Sequence, residues 1–348
     1  MDPPKVTVLM SVYNGEKYLK EAIESILNQT FPNFEFIIIN DGSTDSTSAI
    51  LTRYQQKDAR IRIYSQENQG LVASLNRGCQ LARGEYIARM DADDISLPER
   101  LAKQVAYMEA NTEVGVLGTW MECINAKGIP HRKVRTPTTP SLIRWYLLFG
   151  CCMVHSSILM RRDVIEQVGF YRSEALYVED YDLWTRASHI AELANLPEIQ
   201  LRYRVCEDSI SLQHAQTQKE NAIKIMHSAI TGLLGVEIPM RTVSSLGKAL
   251  IGLPLDEPQQ VDQVTLLILR LYRAYLNTYS LGRAEIREVA RVAGEKLLTL
   301  AASRGKISLV RRLCIVAQAI RLSPRLLWSK QVIAKGAQRG FGILLGRV

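Results

Sequence analysis

Apolar residues in the first half of the chain keep two alternating rhythms. Val6–Val12 (VTVLMSV) is a short, β-branched apolar run ended by Tyr13-Asn14-Gly15, the pattern of a buried strand. Glu16–Asn28 then carries apolar residues at 19, 22, 23, 26 and 27, a helical stripe. Phe34–Asn40 (FEFIIIN) reads as a second strand, stopped by Asp41-Gly42-Ser43, and Asp45–Tyr54 as a helix with Asp45 or Ser43 as its N-cap. Ile61–Tyr64 is a short strand, Leu71–Ala82 a helix, and Tyr86–Met90 a strand that delivers the chain to Asp91. Pro98–Ala110 resumes the helical pattern, with Pro98 in a first turn where its missing N–H costs nothing.

This alternation predicts an α/β fold: a Rossmann-like, mostly parallel sheet flanked by helices on both faces. Ligands of such sheets bind beyond the carboxyl ends of the strands. Three strand ends carry polar clusters, Ser11/Tyr13/Asn14, Asp41/Gly42/Ser43 and Asp91/Asp93/Asp94, and they are expected to meet at one edge. From Val114 to about Arg204 the pattern changes to shorter strands with long connections, and from about Gln216 it is nearly all helical. The predicted division is a catalytic domain at 1–214, with halves at about 1–112 and 113–214, and a helical extension at 215–348. Trp145–Met160 is the longest segment without Asp, Glu, Lys or Arg, and His155-Ser156-Ser157 interrupts it. It falls short of the ~20 apolar residues that span a bilayer and reads as a buried strand with its approach. With no basic, apolar leader at its start either, the chain is expected in the cytoplasm.

Charge separates the two parts. Residues 1–214 carry a net −4 and residues 215–348 a net +12, and after Glu295 eleven basic residues follow with no acidic one. Arg304–Arg325 places polar residues at 304, 308, 311, 318 and 325, with Leu309, Leu313, Val316, Ala317 and Ile320 opposite. Such a basic amphipathic helix suits either an anionic membrane surface, reached through residues 296–348, or packing against the rest of the chain. No nucleic-acid partner is expected, since no module or interleaved aromatics accompany the charge. The six cysteines show neither CxxC nor framework spacing and read as free thiols.

Asp91-Ala92-Asp93-Asp94 is the densest chemistry in the chain. Three carboxylates in four residues repel one another, so a divalent cation, Mg²⁺ or Mn²⁺, is expected among them. The competing role is helix capping, with Asp94 or Ser96 standing before Pro98. Glu179, Asp180 and Asp182 open a second helix-like stretch where acids also favour an N-terminus.

Four segments, VTVLMSVYNGEKYLKEAIESILNQTF, FEFIIINDGSTDST, NQGLVASLNRGCQLARGEYIARMDADDISLPERL and YVEDYDLWTR, together resemble the family 2 glycosyltransferases of the GT-A fold, over roughly residues 5–210. The resemblance implies an inverting, metal-dependent transfer of sugar from a nucleotide-sugar, UDP-hexose most commonly, to a saccharide or lipid-linked acceptor. It implies that Ser11 and Tyr13 cradle the base, that Asp41 stands free to contact base or ribose, and that Asp91 lies near ribose and metal. By the same resemblance Asp93 is the direct metal ligand and Asp180 the general base, with Glu179 in reserve.

The chain departs from that pattern twice. Ser74-Leu75-Asn76 lacks an Arg found in many relatives, and Tyr203-Arg204-Val205-Cys206 ends without their His. His155 and His214 are candidates to replace it, and Trp184 is a candidate to stack on acceptor sugar, although a core position suits all three. A haloacid-type phosphatase would want its Asp-x-Asp on the first strand rather than the fourth. A nucleotidyltransferase would want a Gly-rich, basic loop where Asn14-Gly15-Glu16-Lys17 stands. A non-catalytic sugar-binding protein built on a transferase-like domain is the remaining alternative.

Overall fold

The structure, a computed structural model, describes residues 3–206, 214–303 and 307–328. The chain forms two compact units. The first runs to Ile143 and resumes at Cys152; the second joins Arg144–Cys151 to the chain from His214 onward.

In the first unit β1 (Val6–Val12), β2 (Phe34–Asp41), β3 (Ile61–Gln66) and β4 (Tyr86–Asp91) lie in the order β3-β2-β1-β4, all parallel. Every residue of β2 is buried and all but one of β1. A strand covered on both faces needs apolar residues on both, which is why these two read as unbroken apolar runs. The crossovers are α1 (Leu19–Leu27), α2 (Thr47–Lys57) and α3 (Leu71–Leu81). Leu19, Ala22, Ile23 and Ile26 of α1 are buried, matching its apolar stripe. Ser46, not Asp45 or Ser43, directly precedes α2, while the Asp45 carboxylate accepts from the Thr47 N–H.

Beyond β4 the sheet is mixed. It continues β4-β8-β6-β9-β5 with β5 (Ile95–Ser96), β6 (Val114–Ile124), β7 (Pro130–Val134), β8 (Leu159–Arg161) and β9 (Glu192–Arg204). β8 runs antiparallel to β4 and β6, whereas β6 and β9 are parallel to each other. The helices here are α4 (Arg100–Ala110), α5 (Pro140–Leu147), α6 (Arg162–Val168) and α7 (Glu179–Ala187). Two expectations are corrected. β6 and β9, at 11 and 13 residues, are the longest strands rather than short ones, because register shifts break the alternation that marks a strand. Trp145–Met160 is not a strand with its approach: Trp145–Leu147 closes α5, and only Leu159 and Met160 enter β8.

The second unit contains α8 (Ala215–Leu234), α9 (Met240–Leu250), α10 (Pro258–Thr278), α11 (Arg283–Ala302) and α12 (Leu309–Leu322). Segment 144–151 supplies aromatic core to it. Trp145 meets Phe149 and Tyr275 edge-on at 5.0 and 5.1 Å, and the buried Lys296 ammonium lies 4.0 Å from the Phe149 ring centroid. α12 buries Ile315 and Ala319 and leaves Leu309, Val310 and Leu313 59–71% exposed. Leu309 and Leu313 of the apolar face, for which membrane contact and packing are both expected, are thus turned outward. Residues 304–306 and 329–348 of the basic region lie outside the described residues. Among the described residues no helix is long and apolar enough to cross a membrane.

Candidate active site

The parallel strands end together, and their register fixes what meets. Ser11 stands opposite Asp91 on β4 and Ile39 on β2, with Val12 opposite Asn40. All three polar strand ends therefore lie at one edge of the sheet. The loops beyond β1 and β2 brace each other. The Asn14 N–H donates to Ser43 Oγ (3.0 Å), the Asn14 side-chain oxygen accepts from the Thr44 N–H (2.8 Å), and the Gly15 N–H donates to Thr47 Oγ1 (2.9 Å). Asn14 adopts a left-handed φ of 50°, which Asn tolerates. Tyr13, ahead of this brace, is 53% exposed.

Asp41 does not stand free. Its buried carboxylate accepts from Gln66 Nε2 (2.7 Å) and from the backbone N–H groups of Gln69 (2.9 Å) and Gly70 (2.8 Å). Three of a carboxylate's roughly four acceptor sites are thereby used to hold the β3–α3 loop. Gly42 and Ser43 serve the turn, with Gly42 at φ 76° and the Ser43 N–H donating to Asn40 Oδ1.

The acidic cluster divides into three distinct environments. Asp91 is part-exposed and pairs with Arg89, whose Nη2 lies 2.6 Å from it. Asp93 is half-buried, and desolvation together with the Asp91 charge pushes its carboxyl up to about 6. Asp94 is fully buried and accepts from the Ser156 hydroxyl and the Arg204 N–H (2.8 Å). Burial and its two acidic neighbours raise Asp94 well above the usual carboxylate range. It caps no helix, and neither does Ser96: α4 begins after Glu99, and Asp94 instead ties the turn to β8's approach and to β9.

Glu179 and Asp180 open α7. Desolvation, then the Asp180 charge, pushes Glu179 up to about 7, with Asp91 adding to the rise and Arg89 opposing it. Tyr203 feels Asp94, Asp91, Asp93 and Asp180 at once. The two acidic segments, some ninety residues apart in sequence, thus share one electrostatic environment. Asp182 belongs elsewhere, ion-paired to Arg186 at 2.7 Å.

Trp184 is wholly buried, so it does not stack on acceptor sugar. His155 Nε2 lies 2.9 Å from the Tyr171 hydroxyl, its ring edge-on to Trp184, and burial holds it well below the usual imidazole range. His214 precedes α8 in the second unit. At the position of the missing His, Cys206 Sγ is 3.6 Å from the Tyr18 hydroxyl.

Sequence reading missed Arg89, Tyr171 and Arg204. Arg89 is fully buried on β4, and its Nε and Nη1 have no hydrogen-bond partner among the described residues. One signal was there: a charged residue two positions before Asp91 shares its face of the strand. Arg204 donates from Nε to the Asp93 carbonyl (2.8 Å) and stacks over Tyr18 at 4.3 Å, contacts that sequence spacing does not carry.

The sequence profile of glycosyl transferase family 2 matches residues 7–169. An uncharacterised glycosyltransferase of Haemophilus influenzae is 36% identical over 254 residues, covering 70% of this chain and 79% of that one. The O-antigen biosynthesis glycosyltransferase WbnJ of Escherichia coli is 37% identical over 205 residues, 58% of this chain and 79% of that one. Two solved structures share the fold. TarS 1–349 of S. aureus, in complex with UDP-GlcNAc, has a TM-score of 0.55 at 18% identity, over 93% of this chain and 92% of that one. The mannosyltransferase PcManGT of Pyrobaculum calidifontis, with GDP-Man and Mn²⁺, has a TM-score of 0.54 at 17% identity, over 95% and 89%. The mixed sheet with its parallel first half is the GT-A fold, and the chain belongs to glycosyl transferase family 2 and is a glycosyltransferase.

Proposed function

We propose that this glycosyltransferase moves a sugar, with inversion, from a nucleotide-sugar donor (UDP-hexose first) to a hydroxyl of a saccharide or lipid-linked acceptor in cell-surface polysaccharide or glycoconjugate synthesis. The observation that carries it is the convergence of Ser11, Asp41 and Asp91, with Asp93 two residues on, at the carboxyl edge of the parallel strands. The O-antigen and amylovoran biosynthesis transferases among its relatives support a polysaccharide product. UDP-GlcNAc and GDP-Man with Mn²⁺ in the two structural neighbours support a nucleotide-sugar and a divalent ion.

Ser11 and Tyr13 would flank the base, and Asp41 would shape its pocket through the loop it holds. Asp93 and Asp91 would hold Mg²⁺ or Mn²⁺. The donor set fits such an ion: two neighbouring carboxylates, one pushed up by the other's charge, gain from a cation between them. Among the described residues no group of three His, Cys, Asp or Glu side chains forms a closed metal cage. An ion held by two carboxylates would take its remaining ligands from diphosphate and water. When bound, the ion supplies positive charge against the leaving diphosphate.

Asp180 takes the acceptor hydroxyl proton as that oxygen attacks the anomeric carbon. Glu179, pushed up to about 7 by burial and then by the Asp180 charge, stands beside it as the reserve base. One base with direct attack gives inversion, whereas retention needs a nucleophile and two steps. In the second unit, the exposed apolar residues of α12 and the basic excess support docking on an anionic membrane surface.

The test is hydrolysis and binding of UDP-, dTDP- and GDP-sugars with Mn²⁺ and with Mg²⁺. Asp93→Ala should abolish metal-dependent donor turnover. Asp180→Asn should keep donor binding and lower transfer by roughly 10²–10⁴-fold. Normal turnover by Asp180→Asn removes the base assignment, and failure of every donor with both metals removes the reading.

A further inference from the structure

A groove of about 660 Å³ runs beside the β5–α4 turn and the β6–β9 pair, and it includes none of the residues assigned above. Lys103, Trp120, Lys133, Arg135, Pro197 and Glu198 line it. A defect in strand pairing makes it. Thr119 stands opposite Leu196 but Trp120 opposite Ile199, so Pro197 and Glu198 are extruded from the β9 ladder. Bulges bend a strand and re-aim the side chains around them, and a proline costs least where no ladder N–H is needed.

Trp120 is fixed at the break by its Nε1–H, which donates to the Thr136 carbonyl at 2.9 Å. Its ring remains half-exposed, a flat apolar surface among the charged side chains that share the groove. The charges around it are not balanced. Lys103 is paired with Glu99 at 3.0 Å and with Glu198 at 2.7 Å. Lys133 and Arg135 have no carboxylate partner among the described residues, and the Arg135 guanidinium lies 5.3 Å from the Trp120 ring centroid. Two unpaired cations beside an aromatic face recognise a ligand with a flat, weakly polar surface and an anionic substituent.

We propose that this groove binds an acidic segment of the glycan acceptor, with a sugar ring against Trp120 and its carboxylate or phosphate between Lys133 and Arg135. The proposal rests on the saccharide-acceptor reading above. It adds a subsite that grips the growing chain apart from the donor, so chain length and charge, not the donor, would govern its occupancy.

The experiment titrates the full chain with tetragalacturonate, a phosphorylated tetramannoside and neutral cellotetraose, following intrinsic fluorescence. Trp120→Phe identifies the reporting residue and keeps a ring in place. Lys133→Gln with Arg135→Gln changes two exposed side chains and leaves the core alone. Expected is saturable quenching by an acidic tetramer, lost in Trp120→Phe and weakened about tenfold or more in the double variant. The tetramer that binds tighter names the anion, and either one supports the groove. Unchanged donor hydrolysis in the double variant separates this outcome from failure of the donor reading, which that assay tests by itself. The proposal is overturned if neither acidic tetramer binds, if cellotetraose binds equally, or if the double variant binds like the parent. It is overturned too if UDP or inorganic phosphate displaces the tetramer at equal concentration.

Discussion

Arg89 and Asp91 lie two positions apart on β4, on one face of the strand, with a 2.6 Å contact between them. A buried guanidinium with two of its nitrogens unpartnered among the described residues is costly to keep, and its contact with Asp91 gives a reason for it. Lysine at this position would retain the charge but lose the planar fork that orients the carboxylate. On the metal-ligand role proposed for Asp91, Arg89→Lys is therefore expected to lower donor turnover by roughly 10–100-fold, the usual effect of disturbing a group that holds such a ligand. A melting temperature near that of the parent would accompany it. Full activity in Arg89→Lys would show that Asp91 needs no such support. Glu179 gives a second residue-level test. Folded, it keeps its proton to about pH 7, against an ordinary value of 4.5. Between those values the folded chain binds more protons than the unfolded one, so stability falls as pH rises. This contribution is whole below about 4.5 and lost on passing through 7. In metal-free buffer the melting temperature should fall over that window, and Glu179→Gln, which cannot ionise, should flatten the fall. An unchanged slope in the variant would place the titration elsewhere.

Elements fit together where side chains leave room. Gly84, between α3 and β4, donates its N–H to Thr7 Oγ1 at 2.9 Å. A Cβ there would stand 2.7 Å from the Val6 carbonyl carbon and 2.8 Å from the Tyr86 oxygen, and closer still to the Thr7 nitrogen. Backbone atoms in paired strands cannot step aside, so Gly84→Ala is expected to cost about 1–3 kcal/mol, read as a lower urea midpoint at unchanged slope. A midpoint equal to the parent's would mean that the β1–β4 pair gives way locally. Gly84 also shows where sequence reading stops. β1 and β2 were legible because burial on both faces demands unbroken apolar runs, and α1 because its stripe is regular. β5 and β8, at two and three residues, carry no period to read. β6 and β9 carry bulges that break it. The same divide runs through the site. Asp91, Asp93 and Asp180 stand in local motifs, whereas the state of Asp94 depends on Arg204, 110 residues away. Asp41 looked available because nothing near it in sequence shows that Gln69 and Gly70 fold back onto it.

At the scale of the molecule, charge is the feature that local motifs do not explain. An excess of +12 in residues 215–348 against −4 before them gives the second part a field that attracts anionic surfaces. Charge alone holds a protein near such a surface only weakly and yields to salt. α12 adds the other half, since Leu309, Val310 and Leu313 are exposed on a helix that also exposes Arg321. Arg325 is exposed just beyond its end. Arg311 is partly spent on Asp262, at 3.2 Å, so Arg321 and Arg325 are the better-placed cations. Each basic residue near an anionic bilayer contributes about 1 kcal/mol. Replacing Arg321 and Arg325 by Gln should therefore weaken vesicle binding about 30-fold. Leu309→Gln with Leu313→Gln should weaken it independently and make what remains more sensitive to salt. Both pairs are at the surface, so neither should disturb the Ile315 and Ala319 contacts that hold α12 in place. Flotation with vesicles of neutral lipid, and of neutral lipid plus anionic phosphatidylglycerol, reads both effects. The parent should rise with the anionic vesicles alone, and each variant less. If parent and variants float alike, or if neutral vesicles carry the parent equally well, α12 is not the docking surface, and its exposed leucines need a protein partner instead.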